Sequence, residues 1–174
     1  SLKALGVKRI VGTIRASEDQ AFPGSPLGFG WDWDDLDAAY GAGATELMFN
    51  EAFTDVHVRG CNRPGTAACV TTSPLRTSPR IRSSVVTRAA GTAGPPLRWW
   101  RDSAATPGLT VEGSIVAGEL VTFSAAHSDG RAEFLAAVRE ALARGGIHVQ
   151  ALARRTETRG DVLAVIDSRP STRS

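Results

Sequence analysis

The C-terminal part of the chain has an apolar pattern typical of a helix followed by strands. A stripe of large apolar side chains predicts a helix over residues 131–144, for which Ser128 or Asp129 is the expected cap. Alternating apolar positions predict a strand that begins at Ile147, directly after a Gly-Gly pair. The unbroken apolar run over residues 162–166 is typical of a strand covered on both faces.

The N-terminal end repeats this order of helix end, glycine and strand. Two leucines followed by Gly6 predict the end of a helix, and residues 7–14 predict a strand. Because the same order occurs at both ends, we expect the two ends to build one small α/β layer. Alternation over residues 46–59 predicts a further strand, in which His57 is a half-exposed residue on the face opposite to the valines.

Between these ends, the chain is rich in Thr, Ser and Val and is interrupted by Pro or Gly. This rhythm is typical of short antiparallel strands. Trp99 and Trp100 are adjacent, so a strand there buries only one of them. The predicted fold class is α+β, with a small α/β layer built from both chain ends and an inserted all-β module. The expected division is residues 1–60 and 123–167 for the α/β domain, 61–122 for the all-β domain and 168–174 for a tail.

Tryptophan alternates with aspartate within residues 28–50, and the alternation leads into a short helical pattern. Asp34 and Asp35 fall in the first turn of the predicted helix, where carboxylates offset the helix dipole. Gly41 is placed to end the helix with a positive φ. In one interpretation, the tryptophans anchor a small core and the aspartates cap the helix. In the other, one acidic residue and Tyr40 face a ligand.

Composition describes a globular chain rather than a disordered one. The 174 residues are 42% hydrophobic and 22% charged, with a net charge of +2. No apolar run approaches the ~20 residues that a membrane helix needs. Arginine greatly outnumbers lysine, but the arginines form no stripe on any one predicted element, so a nucleic-acid surface is not expected. The start at Ser1 and the polar Ser/Arg/Pro tail predict a segment of a longer protein.

The common catalytic motifs are missing from the sequence. A Ser-x-x-Lys nucleophile needs a lysine one helical turn after the serine, but Leu5 stands three residues before Lys8 and nothing stands three residues before Lys3. Ser-x-Asn, Lys-Thr-Gly and Gly-x-Ser-x-Gly do not occur either. The histidines and cysteines have no zinc spacing, and the aspartates of residues 32–37 lack the glycine and distal glutamate of a calcium loop. We therefore expect no catalytic residue, no metal site and no cofactor in this chain.

Two cysteines flank a Pro-Gly turn at equal distances. Cys61 and Cys69 each lie four residues from Gly65. If the segment is a hairpin centred there, the two side chains lie opposite each other and form a disulfide. The alternative is a pair of free, buried thiols.

Three groups of residues carry a family resemblance: Gly30-Trp31-Asp32-Trp33-Asp34-Asp35-Leu36, Tyr40-Gly41-Ala42 and Leu47-Met48-Phe49-Asn50-Glu51. Together with residues 5–12 and 111–115, they resemble the serine D-Ala-D-Ala carboxypeptidases of the penicillin-binding protein 4 type, the S13 peptidases. Two positions depart from the family pattern. Ala52 stands where the family usually has Asn, and residues 127–129 replace a segment in which Pro usually opens the helix.

The resemblance implies that the chain is an inserted region of a larger enzyme. In this family, two extra domains are inserted into the transpeptidase domain, between Ser-x-x-Lys and Ser-x-Asn. The larger enzyme would transfer the acyl group of peptidoglycan D-Ala-D-Ala to a serine and then hydrolyse the acyl-enzyme. The implied partners are the peptidoglycan stem peptide and the transpeptidase domain, with no nucleic acid and no membrane span. The implied location is exported, either periplasmic or cell-wall associated, which suits a disulfide.

The resemblance also assigns two substrate-binding residues. At positions matching Asp35 and Tyr40, the family lines a pocket for the diaminopimelate side chain of the stem peptide. The acid pairs with the ammonium, and the aromatic ring packs on the methylenes. Two other classes of function stay open. One is a stand-alone cell-wall-binding or structural module that uses Trp99 or Trp100, and the other is an unrelated hydrolase with two aspartates as acid and base.

Overall fold

The computed structural model describes residues 2–16, Leu27, Gly30 and residues 32–75, 78–101 and 108–153. Within this part of the chain there are one α-helix and eight strands, which form three sheets. The predicted strand over residues 162–166 and the predicted tail lie outside the described residues. The helix is α1 (Gly130–Arg144), and the strands are β1 (Arg9–Arg15), β2 (Phe53–Arg59), β3 (Cys69–Ser73), β4 (Arg80–Arg88), β5 (Arg98–Arg101), β6 (Gly108–Val116), β7 (Leu120–Ala126) and β8 (His148–Ala153).

The two ends of the chain meet in a two-stranded parallel sheet, in agreement with the small α/β layer that the sequence predicted. β1 pairs with β8 from Arg9 opposite His148 to Arg15 opposite Ala153. The register shifts by one residue at Gly12, whose φ of 103° suits a bulge. α1 packs against β8, which completes the small α/β layer.

Both ends of α1 are fixed by local hydrogen bonds. At the start, the Asp129 side chain accepts a hydrogen bond from the Ala132 N–H at 3.0 Å, so Asp129 is the cap. At the end, the Ile147 N–H donates to the Leu142 carbonyl at 2.8 Å, and Gly146 has a φ of 75°. This is a Schellman ending, which turns the chain directly into β8.

The other two sheets pack face to face as a small sandwich. One has the strand order β3–β2–β7 and the other β4–β6–β5. Trp99 points into the core and stacks on Phe123 with ring centroids 4.0 Å apart, whereas Trp100 is 39% exposed. The prediction that only one of these tryptophans is buried is therefore confirmed. The fully buried members of the shared core are Val56, Val58, Val85, Leu109, Val111, Ile115 and Ala125.

Three features of the sandwich differ from the sequence predictions. The strand predicted over residues 46–59 begins only at Phe53, because Asn50, Glu51 and Ala52 have φ values of 50°, 54° and 61°. β2, which the sequence placed in the α/β part, pairs with β3 and β7 instead. β4 pairs with β6 in parallel, where antiparallel strands were predicted. Alternation could not reveal that direction, because side chains alternate in the same way in both kinds of sheet.

The cysteines also differ from the sequence prediction of a disulfide. Both are free thiols in the structure, with Cys61 half-buried and Cys69 exposed. The β2–β3 register pairs Cys69 with Arg59, so Cys61 lies two residues beyond the partner of Cys69. Because β2 ends at Arg59, Cys61 lies outside the paired register and does not face Cys69 in the β2–β3 ladder. The Cys61 thiol instead donates to the Ala67 carbonyl at 3.2 Å.

Candidate functional site

The Trp-Asp stretch folds as two consecutive single-turn helices of the 3-10 type. The first is Trp33–Asp37 and the second is Ala39–Gly41, with Ala38 extended between them. Asp32 begins the first turn but makes no side-chain capping bond. The interpretation of this aspartate as a helix cap is therefore not supported. The tryptophan part of that interpretation concerns Trp31 and the Trp33 side chain, which lie outside the described part of the structure.

The two predicted substrate-binding residues are in direct contact. The Tyr40 hydroxyl donates a hydrogen bond to Asp35 Oδ1 at 2.9 Å. Tyr40 is 65% exposed, while Asp35 is half-buried. The pair thus presents a carboxylate beside an aromatic ring at the protein surface. A carboxylate offers about four acceptor positions, and Tyr40 occupies one of them.

Gly41 allows the two short helices to stack closely enough for this contact. It is buried, and a β-carbon at this position would overlap the carbonyl oxygen of Asp35. The requirement for glycine is therefore steric. Gly41 does not have the positive φ that the sequence predicted.

Asp37 attaches the first short helix to the sandwich through hydrogen bonds with Arg101. The backbone N–H and the Nε–H of Arg101 both donate to Asp37 Oδ1, at 3.2 and 2.9 Å. The guanidinium also donates from Nη1 to the carbonyl of His127 at 3.3 Å. A backbone bridge between Ala38 and Ala125 of β7 adds a second attachment. Asp37 therefore holds the turn in place, which leaves Asp35 as the acid beside Tyr40.

His127 lies beneath this attachment and is only 8% exposed. Its Nε2 is 2.8 Å from Thr54 Oγ1, and its buried Nδ1 has no hydrogen-bond partner among the described residues. Burial lowers the pKa of His127 to about 4, although the polar backbone of the nearby Phe53 acts in the opposite direction. The imidazole is thus neutral at pH 7, and burial disfavours its charged form.

Glu133, in the first turn of α1, is a second buried titratable group. It is 3% exposed, and its Oε2 has no hydrogen-bond partner in the described structure. Burial raises the pKa of the Glu133 carboxyl, a hydrogen bond with Ser78 lowers it, and the nearby Asp129 raises it further. A carboxyl in this position is stabilised in its protonated form.

Neither Arg101 nor His127 was identified from the sequence as part of this site. Arg101 is 64 residues from Asp37 along the chain, and only the sandwich brings them together.

His57 behaves as predicted, as a half-exposed strand residue: its ring nitrogens lie 3.0 Å from Thr122 Oγ1 and 2.8 Å from Ser73 Oγ. Among the described residues, no group of three or more His, Cys, Asp or Glu side chains is placed to hold a metal ion. In the same part of the chain, no helix has the length and apolar character needed to cross a bilayer.

One comparison with known proteins identifies a family. A model of the D-Ala-D-Ala carboxypeptidase 3 (S13) family matches residues 1–173. A crystal structure of penicillin binding protein 4 (dacB) from Haemophilus influenzae is similar, with a TM-score of 0.68 and 17% sequence identity. That similarity covers 92% of this chain but only 35% of the other, so this chain spans about a third of the matched protein.

A second crystal structure of the Haemophilus influenzae protein, in complex with a novel β-lactam, matches at a TM-score of 0.48 and 13% identity. It covers 72% of this chain and 28% of the other. No curated protein matches the chain. At 17% identity, the first structure supports the fold alone, whereas the family model shows membership of the family.

Proposed function

The chain belongs to the D-Ala-D-Ala carboxypeptidase 3 (S13) family, and from this we propose that it is the inserted, substrate-contacting region of a serine-type carboxypeptidase acting on peptidoglycan. The missing Ser-x-x-Lys, Ser-x-Asn and Lys-Thr-Gly motifs support this proposal, because they leave the chain without the groups that break the bond. The bond-breaking groups would come from a transpeptidase domain of the same enzyme. Its location would be outside the cytoplasmic membrane.

The observation that carries the proposal is the Asp35–Tyr40 pair. The stem peptide of peptidoglycan can carry a diaminopimelate side chain, which has an ammonium at the end of an aliphatic arm. The carboxylate of Asp35 is suited to the ammonium, and the exposed ring of Tyr40 is suited to the methylenes. The phenol hydrogen bond holds the carboxylate in one orientation, so less conformational entropy is lost when a ligand binds.

The attachment through Asp37 determines where this pair lies. Arg101 and the Ala38–Ala125 bridge fix both short helices on the end of the sandwich that leads into α1. A recognition site on a rigid scaffold can position one end of a substrate while another domain performs the chemistry. We therefore assign Asp35 and Tyr40 to substrate positioning, and Asp37 and Arg101 to support.

The proposal is tested by Asp35→Asn in the intact enzyme, with two model peptides as substrates. One carries the free side-chain ammonium, and the other has this amine acetylated. Loss of a partly exposed charge-assisted hydrogen bond should lower kcat/KM for the free amine by about tenfold. The acetylated peptide should be nearly unaffected.

Asp32→Asn is the matched control, because Asp32 is an exposed carboxylate on the same turn that makes no capping bond. It should change neither substrate by more than about twofold. Equal losses on both substrates for Asp35→Asn would mean that Asp35 only supports the turn, and the substrate-binding assignment would have to be abandoned.

A further inference from the structure

The outward face of the β4–β6–β5 sheet combines arginines with an exposed tryptophan. Val85, Val111 and Trp99 point into the sandwich core, so the alternate positions on these strands point outward. Sequence alone gave no arginine stripe, because these arginines come from two strands that are not adjacent in the sheet. The outward positions are Arg80, Arg82, Ser84, Val86 and Arg88 on β4, Arg98 and Trp100 on β5, and Thr110, Glu112 and Ser114 on β6.

The register aligns these side chains in rows across the sheet. Trp100 lies opposite Thr110, which is paired on its other side with Arg82. The next row runs from Arg98 through Glu112 to Ser84. Neighbouring strands lie about 4.7–4.9 Å apart, so Arg82 is two strand spacings from Trp100, and Arg98 is two residues from it along β5.

A groove lies on this face over the rows that follow the Trp100 row, beginning with the row of Arg98 and Glu112. It has a volume of about 660 Å³, and its lining includes Arg88, Arg98 and Glu112. The segment over residues 93–96 forms one wall. Ser114 Oγ donates to the Pro95 carbonyl at 2.8 Å, and Arg88 Nη1 donates to the Thr92 carbonyl at 2.6 Å. These bonds attach the wall to the sheet, so the groove is formed before any ligand binds.

We propose that this face is a binding site for an acidic glycan, with Trp100 as the stacking platform and Arg98 as the partner of a sugar carboxylate. Four arginines against one glutamate give the face a positive potential. The 39% exposed indole of Trp100 offers a flat apolar surface that matches the face of a pyranose ring. This sheet face does not include Asp35 or Tyr40, and the inference does not depend on the function proposed for that pair.

The position of Glu112 favours a glycan over a nucleic acid. Its carboxylate lies in the middle of the row between Arg98 and Ser84, where it would repel a continuous line of phosphates. A carboxylate accepts hydrogen bonds well from sugar hydroxyls. A polymer whose charges are spaced by neutral rings therefore fits this face better than a polyphosphate.

The test is titration of the 174-residue chain with polygalacturonate at low salt. Fully methyl-esterified polygalacturonate keeps the rings and removes the charges, so it should bind at least tenfold more weakly. Trp100→Ala should weaken binding of the acidic form about fivefold, and Arg98→Gln about threefold. Arg98→Gln should also reduce the salt dependence of binding.

Arg59→Gln is the matched control, because Arg59 is an exposed strand arginine on the outer face of the other sheet. This variant should bind polygalacturonate as tightly as the unmodified chain does.

Each other outcome overturns the proposal. No binding, equal binding of the acidic and esterified polymers, or equal effects of Arg98→Gln and Arg59→Gln would contradict it. Tighter binding of a DNA duplex than of polygalacturonate would make the face a nucleic-acid surface instead. If Trp100→Ala unfolds the chain, Trp100→Phe and Arg98→Gln decide the matter, since Phe keeps a ring and should retain most of the affinity. None of these results bears on the selectivity assay for Asp35.

Discussion

Acid should destabilise the fold through His127, and the size of the effect can be derived from its burial. The pKa of this imidazole falls from 6.5 to about 4 in the folded chain, mainly because burial disfavours the charged ring. The unfolded chain therefore binds more protons between these two values. Stability from this group is fully present above pH 6.5 and is lost as the pH falls towards 4. At about 1.36 kcal/mol per pKa unit, the ceiling is roughly 3 kcal/mol.

The assay is urea unfolding from pH 7.5 to pH 4, followed by circular dichroism, for the unmodified chain and for His127→Gln. Glutamine is neutral throughout this range and keeps a polar group near Thr54. Glu133 contributes a slope of the opposite sign, because its raised pKa makes the folded chain bind the extra proton. Both proteins share that contribution, so the difference between their two curves isolates His127.

The difference in unfolding free energy between the two proteins should change steadily below pH 6.5 in favour of His127→Gln. His148→Gln replaces an exposed imidazole on β8 and should follow the unmodified chain. Parallel curves for the unmodified chain and His127→Gln would refute the reasoning, because they would mean that His127 is not a buried neutral group.

Two further predictions concern the short helices and the missing nucleophile. Gly41→Ala places a β-carbon against the Asp35 carbonyl and should lower the free energy of unfolding in urea by about 1–3 kcal/mol. Gly145→Ala is the control and should lower it less, because its added β-carbon would lie 3.3 Å from the nearest atom, the Leu142 carbonyl oxygen. Equal losses of unfolding free energy would contradict the steric explanation. The chain alone should form no covalent adduct with a fluorescent penicillin and should release no D-Ala from a model peptide, because it lacks Ser-x-x-Lys. Stoichiometric labelling of one serine, seen by intact-mass measurement, would overturn the assignment as a non-catalytic region.

The parts of the fold that follow from local rules could be predicted from the sequence. The stripe, the Asp129 cap and the Gly-Gly ending locate α1 to within one residue at its start. The repeated order of glycine and strand predicted that both chain ends build one α/β layer, and the structure adds that β1 and β8 pair directly.

What sequence reasoning missed depends on contacts between distant residues. Left-handed backbone at Glu51 and Ala52 is unfavourable for these residue types, so no propensity predicts it. It is held by tertiary bonds such as that from the His127 N–H to the Ala52 carbonyl at 2.7 Å. The same holds for the site: Asp35 and Tyr40 were named from a resemblance, but the support from Arg101 arises only when the sandwich forms.

The most direct test of the proposed recognition is a charge reversal on both partners. In the intact enzyme, Asp35→Lys should be combined with two peptides, one with the free side-chain ammonium and one with this amine succinylated to end in a carboxylate. If Asp35 contacts the ligand charge, the unmodified enzyme should have a higher kcat/KM for the ammonium peptide than for the carboxylate peptide. Asp35→Lys should reverse this preference. The ratio of the two kcat/KM values should change by at least about tenfold between the two enzymes. If Asp35→Lys lowers kcat/KM for both peptides by the same factor, the residue does not contact that charge, and the account of Asp35 and Tyr40 as the recognition pair is contradicted.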